Sequence, residues 1–339
     1  MVSLEMIRTL SSILLTLGFS AHAAEVRLYS ERHYDADKQV FTDFTKKTGI
    51  EVKVVKAGAN ELIARLRSET KAPQADLYIT TDAASLTKAT KAGLLAPLKS
   101  DLINQQVPAA LRGKADTWTA FTMRGRVIVY ASDRVKGDLP KSYEDLTSPA
   151  YRGNLLIRSS TNKYNRSLLA SIIGIQGKTG ATQWAAGVKK NLARPPQGSD
   201  RDQIRAVAKG LGDFAVVNTY YLGILEQSSN EEDQKARAAV KVIFPQSADR
   251  GTHVNISGGG IVKGAANQEN ARKFLEYLVS DEVQKLYQKL TSEYAVVEGI
   301  KLEPLQEAWG EISPDLESIH VMGDHDQEAV KIFNFVGWK

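Results

Sequence analysis

The sequence predicts an α/β protein built as two doubly wound lobes joined by hinge strands around a cleft. Three observations carry this. A chain of 339 residues exceeds what one core ordinarily organises, so two lobes are the default. From residue 26 onward, apolar runs of strand length alternate with segments of helical period, the pattern of a mostly parallel sheet covered by helices. Two longer runs interrupted by glycine, 121–131 with Gly125 and 253–262 with Gly258, Gly259 and Gly260, read as strands passing between the lobes.

In chain order, 26–30 is a first strand. Val40, Phe41, Phe44 and Thr45 recur at helical spacing up to Gly49, which ends a helix. Residues 50–55 alternate as a second strand, and Asn60 is expected to cap a helix whose apolar face is Leu62, Ile63 and Leu66. A third strand covers 76–79, and Asp82 caps a helix that stops near Gly93. Ser142 and Asp145 are spaced as a capping box after Pro140. A strand at 155–157 is followed by a polar loop, 161–166, which runs into an apolar helix over 168–175. Helices follow at 184–192 and 203–211. Residues 214–217 form a buried strand, after which Asn218 and Thr219 offer oxygens that can start a helix. Residues 240–244 are another strand. The glycine run lacks the G-x-G-x-x-G spacing of a phosphate cradle and is read as a bend. Residues 271–287 are amphipathic, and the tail beyond Lys301 is anchored by Trp309 and Trp338. The expected boundaries are 1–23 for a signal peptide, 24–123 plus 254–298 for the N-terminal lobe, and 124–253 plus 299–339 for the C-terminal lobe.

The net charge of +5 comes from scattered lysines and arginines with acids between them, a solvated surface with no nucleic-acid partner implied. Arg8, the apolar stretch 10–19 and Ala21-His22-Ala23 together read as a secretory signal cleaved after Ala23. The stretch falls short of the ~20 residues that span a membrane. The chain has no cysteine, which excludes a cysteine-linked lipid, disulfides, thiolate metal sites and a cysteine nucleophile. Export without an anchor points to the periplasm.

Polar residues at strand ends carry the chemistry, because ligands of open α/β sheets bind at the carboxyl ends of strands. His33 and Tyr34 follow the first strand, Tyr164 follows the strand at 155, and Tyr220 and Tyr221 follow the strand at 214. The bland reading of the adjacent pair is one tyrosine buried and one exposed, since neighbours on a helix point about 100° apart. Five such residues around one cleft suit a hard, highly charged cation, and iron(III) is the obvious case. A free tyrosine ionises near pH ~10, so a cation must hold the charged form at neutral pH. Four phenolates overcompensate a trivalent ion by one charge, and Arg124, beside Gly125, is the candidate to correct that from behind the ligands. The alternatives are a binding protein of the same architecture for an anion or small organic solute and, more remotely, an enzyme. No G-x-S-x-G or H-E-x-x-H motif supports catalysis.

The stretch Leu28-Tyr29-Ser30-Glu31-Arg32-His33-Tyr34, the strand Ala75-Asp76-Leu77-Tyr78-Ile79-Thr80, Tyr164 before Asn165-Arg166, and Asn218-Thr219-Tyr220-Tyr221 resemble the periplasmic ferric-iron-binding proteins of ABC importers, particularly the cyanobacterial type that uses several tyrosines. The resemblance covers nearly the whole mature chain. It implies a type 2 periplasmic-binding fold related to the transferrin lobe, and one Fe(III) per chain in the interlobe cleft. It also implies a monomer that delivers iron to a membrane permease with an ATPase. By position the ligands would be Tyr34, Tyr164, Tyr220 and Tyr221, with His33 a ligand or a neighbour. Members of the family differ over an anion in the shell; with no acidic ligand evident before the Tyr164 loop, its absence is the expectation. Tyr29, Tyr78 and Tyr130 are expected in the core. Tyr143, Tyr151, Tyr277 and Tyr287 are expected as structural aromatics with solvated hydroxyls.

Overall fold

The computed structural model describes residues 24–32 and 34–339; the expected signal peptide and His33 lie outside the described residues. The chain opens with three strand-helix units: β1 (Glu25–Ser30), α1 (Ala36–Thr48), β2 (Glu51–Lys56), α2 (Ala59–Ser68), β3 (Leu77–Thr80) and α3 (Ala83–Lys91). β1 pairs in parallel with β2 on one side and β3 on the other, as the alternation predicts. Val26, Leu28, Leu77 and Ile79 are buried in one core with Val40 and Phe44 of α1 and Leu62 and Leu66 of α2. α1 stops at Gly49, which takes φ 71° and returns its N–H to the Thr45 carbonyl, a left-handed cap that glycine adopts without strain.

After α4 (Asp101–Gln106) come β4 (Thr119–Ala131), β5 (Leu155–Leu156), α5 (Lys163–Lys190), α6 (Asp200–Ala208), β6 (Phe214–Asn218) and α7 (Tyr220–Glu226). α8 (Glu231–Ala238), β7 (Val240–Ile243) and β8 (Thr252–Ile261) follow. α9 (Gln268–Leu278), α10 (Asp281–Thr291), α11 (Pro304–Glu307), β9 (Pro314–Asp315) and α12 (Met322–Val336) close the chain. The sheet runs β2-β1-β3-β8-β4-β6-β5, with β7 on β4 and β9 on β8. β4 is long enough to serve two groups of strands. Its first part pairs antiparallel with β8 up to Gly125, and from Arg126 it pairs antiparallel with β6. The N-terminal strands therefore sit on one side of this transfer, and β5, β6 and β7 on the other.

The glycine run of β8 has a reason other than bending. It lies between β3 and β4, where a Cβ on Gly258 would come 2.7 Å from the Thr119 carbonyl oxygen and one on Gly260 2.5 Å from that of Thr117. Only a residue without a side chain allows that approach. Other expectations are corrected. Asn60 lies inside α2, whose cap is Gly58, and its side chain accepts from Lys88 instead. Residues 163–166 are the first turn of α5 rather than loop, because Asn162 caps the helix there. The amphipathic region 271–287 is helical as expected, as two helices parted at Ser280. The hydroxyls of Tyr143 and Tyr287 are dry: Tyr143 donates to the Arg126 carbonyl and Tyr287 to Asp37 at 3.1 Å.

Asp76 ties β1 and β3 to the start of α9. Its carboxylate accepts from the Arg27 backbone at 2.8 Å, from the Arg27 guanidinium at 3.2 Å, and from the Asn267 backbone and amide at 3.0 and 3.1 Å. Burial pushes this carboxyl up, but the bonds from Arg27 and Asn267 outweigh it and hold it below the usual range. A depressed carboxylate contributes stability above its unfolded pKa of ~3.9, and that stability is lost as pH falls through the lower native value. Asp76→Asn is expected to cost about 1–3 kcal/mol at neutral pH. The deficit should shrink as the pH is lowered below about 4, which urea unfolding across that range measures.

Candidate metal centre

Every tyrosine singled out at a strand end stands at a strand-to-helix junction. Tyr34 lies between β1 and α1, Tyr164 is in the first turn of α5 behind β5, and Tyr220 and Tyr221 open α7 directly after β6. Local bonds set these positions. The Asn162 side chain accepts from the Tyr164 N–H at 2.9 Å, fixing that first turn. Thr219 caps α7 by position but not by side chain. Its hydroxyl takes the N–H of Gly125 at 3.2 Å, while its own N–H reaches the Gly125 carbonyl at 2.9 Å. Asn218 donates its N–H to Asp200 at 2.8 Å and its side-chain oxygen accepts from Arg126. The junction before the tyrosine pair is thus latched onto β4 and α6.

The four rings converge. The hydroxyl oxygens of Tyr164 and Tyr220 are 2.9 Å apart. The Tyr34 ring meets that of Tyr220 edge-on, with centroids 6.2 Å apart, and Tyr221 lies over Tyr220 at 4.3 Å. Tyr220 is buried and Tyr221 half-buried, yet all four line one cavity of about 510 Å³, with Asp35, Arg201, Ile224 and Leu290 among its other walls. Among the described residues there is no cluster of three or more histidine, aspartate and glutamate side chains able to hold a metal. The oxygens on offer here are four phenols, with the Asp35 carboxylate on the wall beside them.

Guanidinium groups surround the rings from behind. Arg124 is buried; its Nη2 donates to the Thr81 carbonyl and its Nη1 has no hydrogen-bond partner among the described residues. Three further arginines escaped the sequence reading. Arg126 is two residues along β4, on the same face as Arg124 because strand side chains alternate. It is held by Asp200 at 2.7 Å and Asn165 at 2.8 Å and lies 5.8 Å from the Tyr164 ring centroid, with Arg158 at 5.4 Å. The strand period in Met123-Arg124-Gly125-Arg126 was a usable signal for Arg126. Arg32 lies 4.2 Å from the centroid of Tyr34, pinned by Asp37 at 2.8 Å, Glu293 at 2.9 Å and Ser257 at 2.6 Å. Nothing local foretold those partners.

Burial is the chief force on the phenols. It pushes Tyr220 well above the ordinary tyrosine range, and the neighbouring Tyr34, Tyr164 and Tyr221 push it further. Burial also raises Tyr34, with Glu293 adding to it and Arg32 and Arg124 opposing. Tyr164 is raised by burial and by Tyr221 against the pull of Arg124. Tyr34, Tyr164 and Tyr220 are therefore neutral phenols that a strong cation can convert to anions, releasing protons as it binds.

A family model described as bacterial extracellular solute-binding protein matches residues 72–308. The chain is 40% identical to iron uptake protein A1 of Synechocystis, over 93% of this chain and 88% of that protein. It is 28% identical to the major ferric iron-binding protein of Neisseria meningitidis, over 83% of this chain and 85% of that one. Among solved structures, a Trichodesmium protein, IdiA or FutA, in complex with iron and citrate ligands superimposes with a TM-score of 0.88 at 44% identity, covering 93% of this chain and all of that one. The ferric binding protein from Campylobacter jejuni gives 0.86 at 40% identity, again over 93% of this chain and all of its own.

In the metal-free protein Tyr34, Tyr164 and Tyr220 are expected to keep their protons at pH ~10, where free tyrosine is half ionised. Ultraviolet titration of phenolate absorbance checks this. Replacing these three by phenylalanine should leave the native protein's phenolate absorbance at that pH unchanged, while lowering it by their share under denaturant.

Proposed function

The chain belongs to the family of bacterial extracellular solute-binding proteins and has their type 2 periplasmic-binding fold, and we propose that it is the ferric-iron carrier of an ABC importer. The observation that carries this reading is the meeting of Tyr164 and Tyr220 hydroxyls at 2.9 Å, with Tyr34 and Tyr221 on the same cavity. Phenolate is a hard anionic donor, and a trivalent hard cation is the partner that makes several of them ionise together. In this reading Tyr34, Tyr164, Tyr220 and Tyr221 hold one Fe(III). His33, outside the described residues, is a further donor on its sequence position alone. Arg124, with a spare N–H behind the rings, offsets the negative charge left by four phenolates.

The cavity exceeds what a single ion fills, and Arg201 stands on its wall, so an oxygen-donor anion has room beside the iron. The Trichodesmium relative carries citrate with its iron. Titration of iron with and without citrate separates an anion from water in the remaining coordination positions. The units that move around the cleft are the lobes 24–123 plus 254–298 and 124–253 plus 299–339, turning about β4 and β8. The carrier works as a monomer in the periplasm, after loss of residues 1–23, and passes its ion to a permease driven by an ATPase. It binds and releases without catalysis.

Ferric iron added to the purified protein is expected to produce an intense visible phenolate-to-iron charge-transfer band at one ion per chain. The double variant Tyr164→Phe with Tyr220→Phe should lose most of that band and at least a hundredfold in affinity, beyond the ~10–100-fold typical of groups that only support a metal ligand. His33→Ala should cost less than the pair. A colourless, metal-free wild-type protein would sink the reading.

A further inference from the structure

Lys163 precedes Tyr164 at the first position of α5. That is an adverse place for a cation, since a helix N-terminus carries partial positive charge, and α5 has no acidic residue in its first turn to offset it. The compensation comes from across the sheet. Lys163 Nζ lies 2.8 Å from Glu31 Oε1 and 2.5 Å from the Thr81 hydroxyl. Glu31, just beyond β1, is itself held by the Thr80 hydroxyl at 2.6 Å. Thr81, just beyond β3, gives its carbonyl to Arg124. One ammonium thus joins the β1 and β3 ends, on the N-terminal side of the β4 transfer, to the helix that follows β5 on the other side.

The neighbours in sequence give this contact its meaning. Glu31 is three residues before Tyr34, and Lys163 is bonded directly to Tyr164. Glu31 and Lys163 line a second, polar cavity of about 540 Å³, while Tyr34 and Tyr164 line the first. The side chains of Lys163 and Glu31 are 26% and 17% exposed, so water screens the pair only partly. The remaining charges on the second cavity balance, with Arg67, Lys88, Lys91 and Arg166 against Glu61, Asp82, Asp324 and Asp326.

We propose that Lys163 is a positioning residue for the cargo: its grip on Glu31 and Thr81 clasps the two sides of the cleft so that Tyr34 and Tyr164 stay at the separation that encloses an ion. The proposal rests on the ferric-iron reading above. Opening the cleft takes Lys163 away from its carboxylate and leaves it at the positive end of α5, so the clasp opposes opening and slows release of the ion.

The test follows iron loss into excess competing chelator through the charge-transfer band. Lys163→Met and Glu31→Gln are each expected to speed release about tenfold, the effect in kind of truncating one member of a partly desolvated charge pair. Their combination should be no faster than either alone, and the exchange Glu31→Lys with Lys163→Glu should return the rate to near wild type. Thermal unfolding of the metal-free variants should match wild type, whereas small-angle scattering should show metal-free Lys163→Met as the more open form. Unchanged release in Lys163→Met, or single effects that multiply in the double variant, would overturn the clasp. If wild type takes up no iron, the ferric reading fails instead, and scattering of the metal-free proteins still decides whether Lys163 closes the cleft.

Discussion

Two phenol oxygens 2.9 Å apart in a largely buried site share either a proton or a cation, because two bare anions at that distance repel too strongly to persist. The Tyr164–Tyr220 pair imposes this choice on everything around it. Without metal the pair is neutral, one hydroxyl donating to the other, and burial keeps it so. A trivalent ion supplies enough charge to displace several protons at once, which a weaker cation does not. In the proposed carrier, the same burial that keeps the empty site neutral favours a hard, highly charged guest over a weaker one.

That pair exists because of where β4 changes partners. Gly125 is the last residue paired to β8, and Arg126 the first paired to β6. A Cβ at Gly125 would stand 3.0 Å from Ile312 and 3.3 Å from Thr219, so the strand approaches the α7 junction as closely as packing allows. Thr219 uses that closeness to bond both backbone groups of Gly125, which carries Tyr220 and Tyr221 up against β4. The same transfer presents Arg124 and Arg126 on one face beneath the rings. Scaffold and charge balance come from a single strand.

Much of this was legible in the residues. Strand periods located β1 to β8 and helical periods most of the helices. However, α4 and α8 carry no such signal, and 168–175 and 184–192 belong to one helix, α5, kinked at Gly177. The junction rule picks out four tyrosines that do share a cavity. The errors have a common origin. Local chemistry makes Asn60 a cap and has Asn218 and Thr219 start a helix; α7 does start at Thr219, but all three side chains turn to tertiary partners, Lys88, Arg126 and Gly125. The glycines of β8 were read as a bend, whereas the neighbouring strands require them for close approach. Tyr143 and Tyr287 were given solvated hydroxyls because nothing local shows that a carbonyl and a carboxylate lie within reach.

Period, turn chemistry and donor type are properties of short stretches, and they alone determined the alternating architecture, the strand ends where the tyrosines fall, and a chemistry without thiols. Which oxygens meet, which guanidinium stands behind which ring, and which hydroxyls lose their water were decided only on folding. Those outcomes depend on burial and distance between residues remote in the chain, as Arg32 shows with partners 225 and 261 positions away at Ser257 and Glu293.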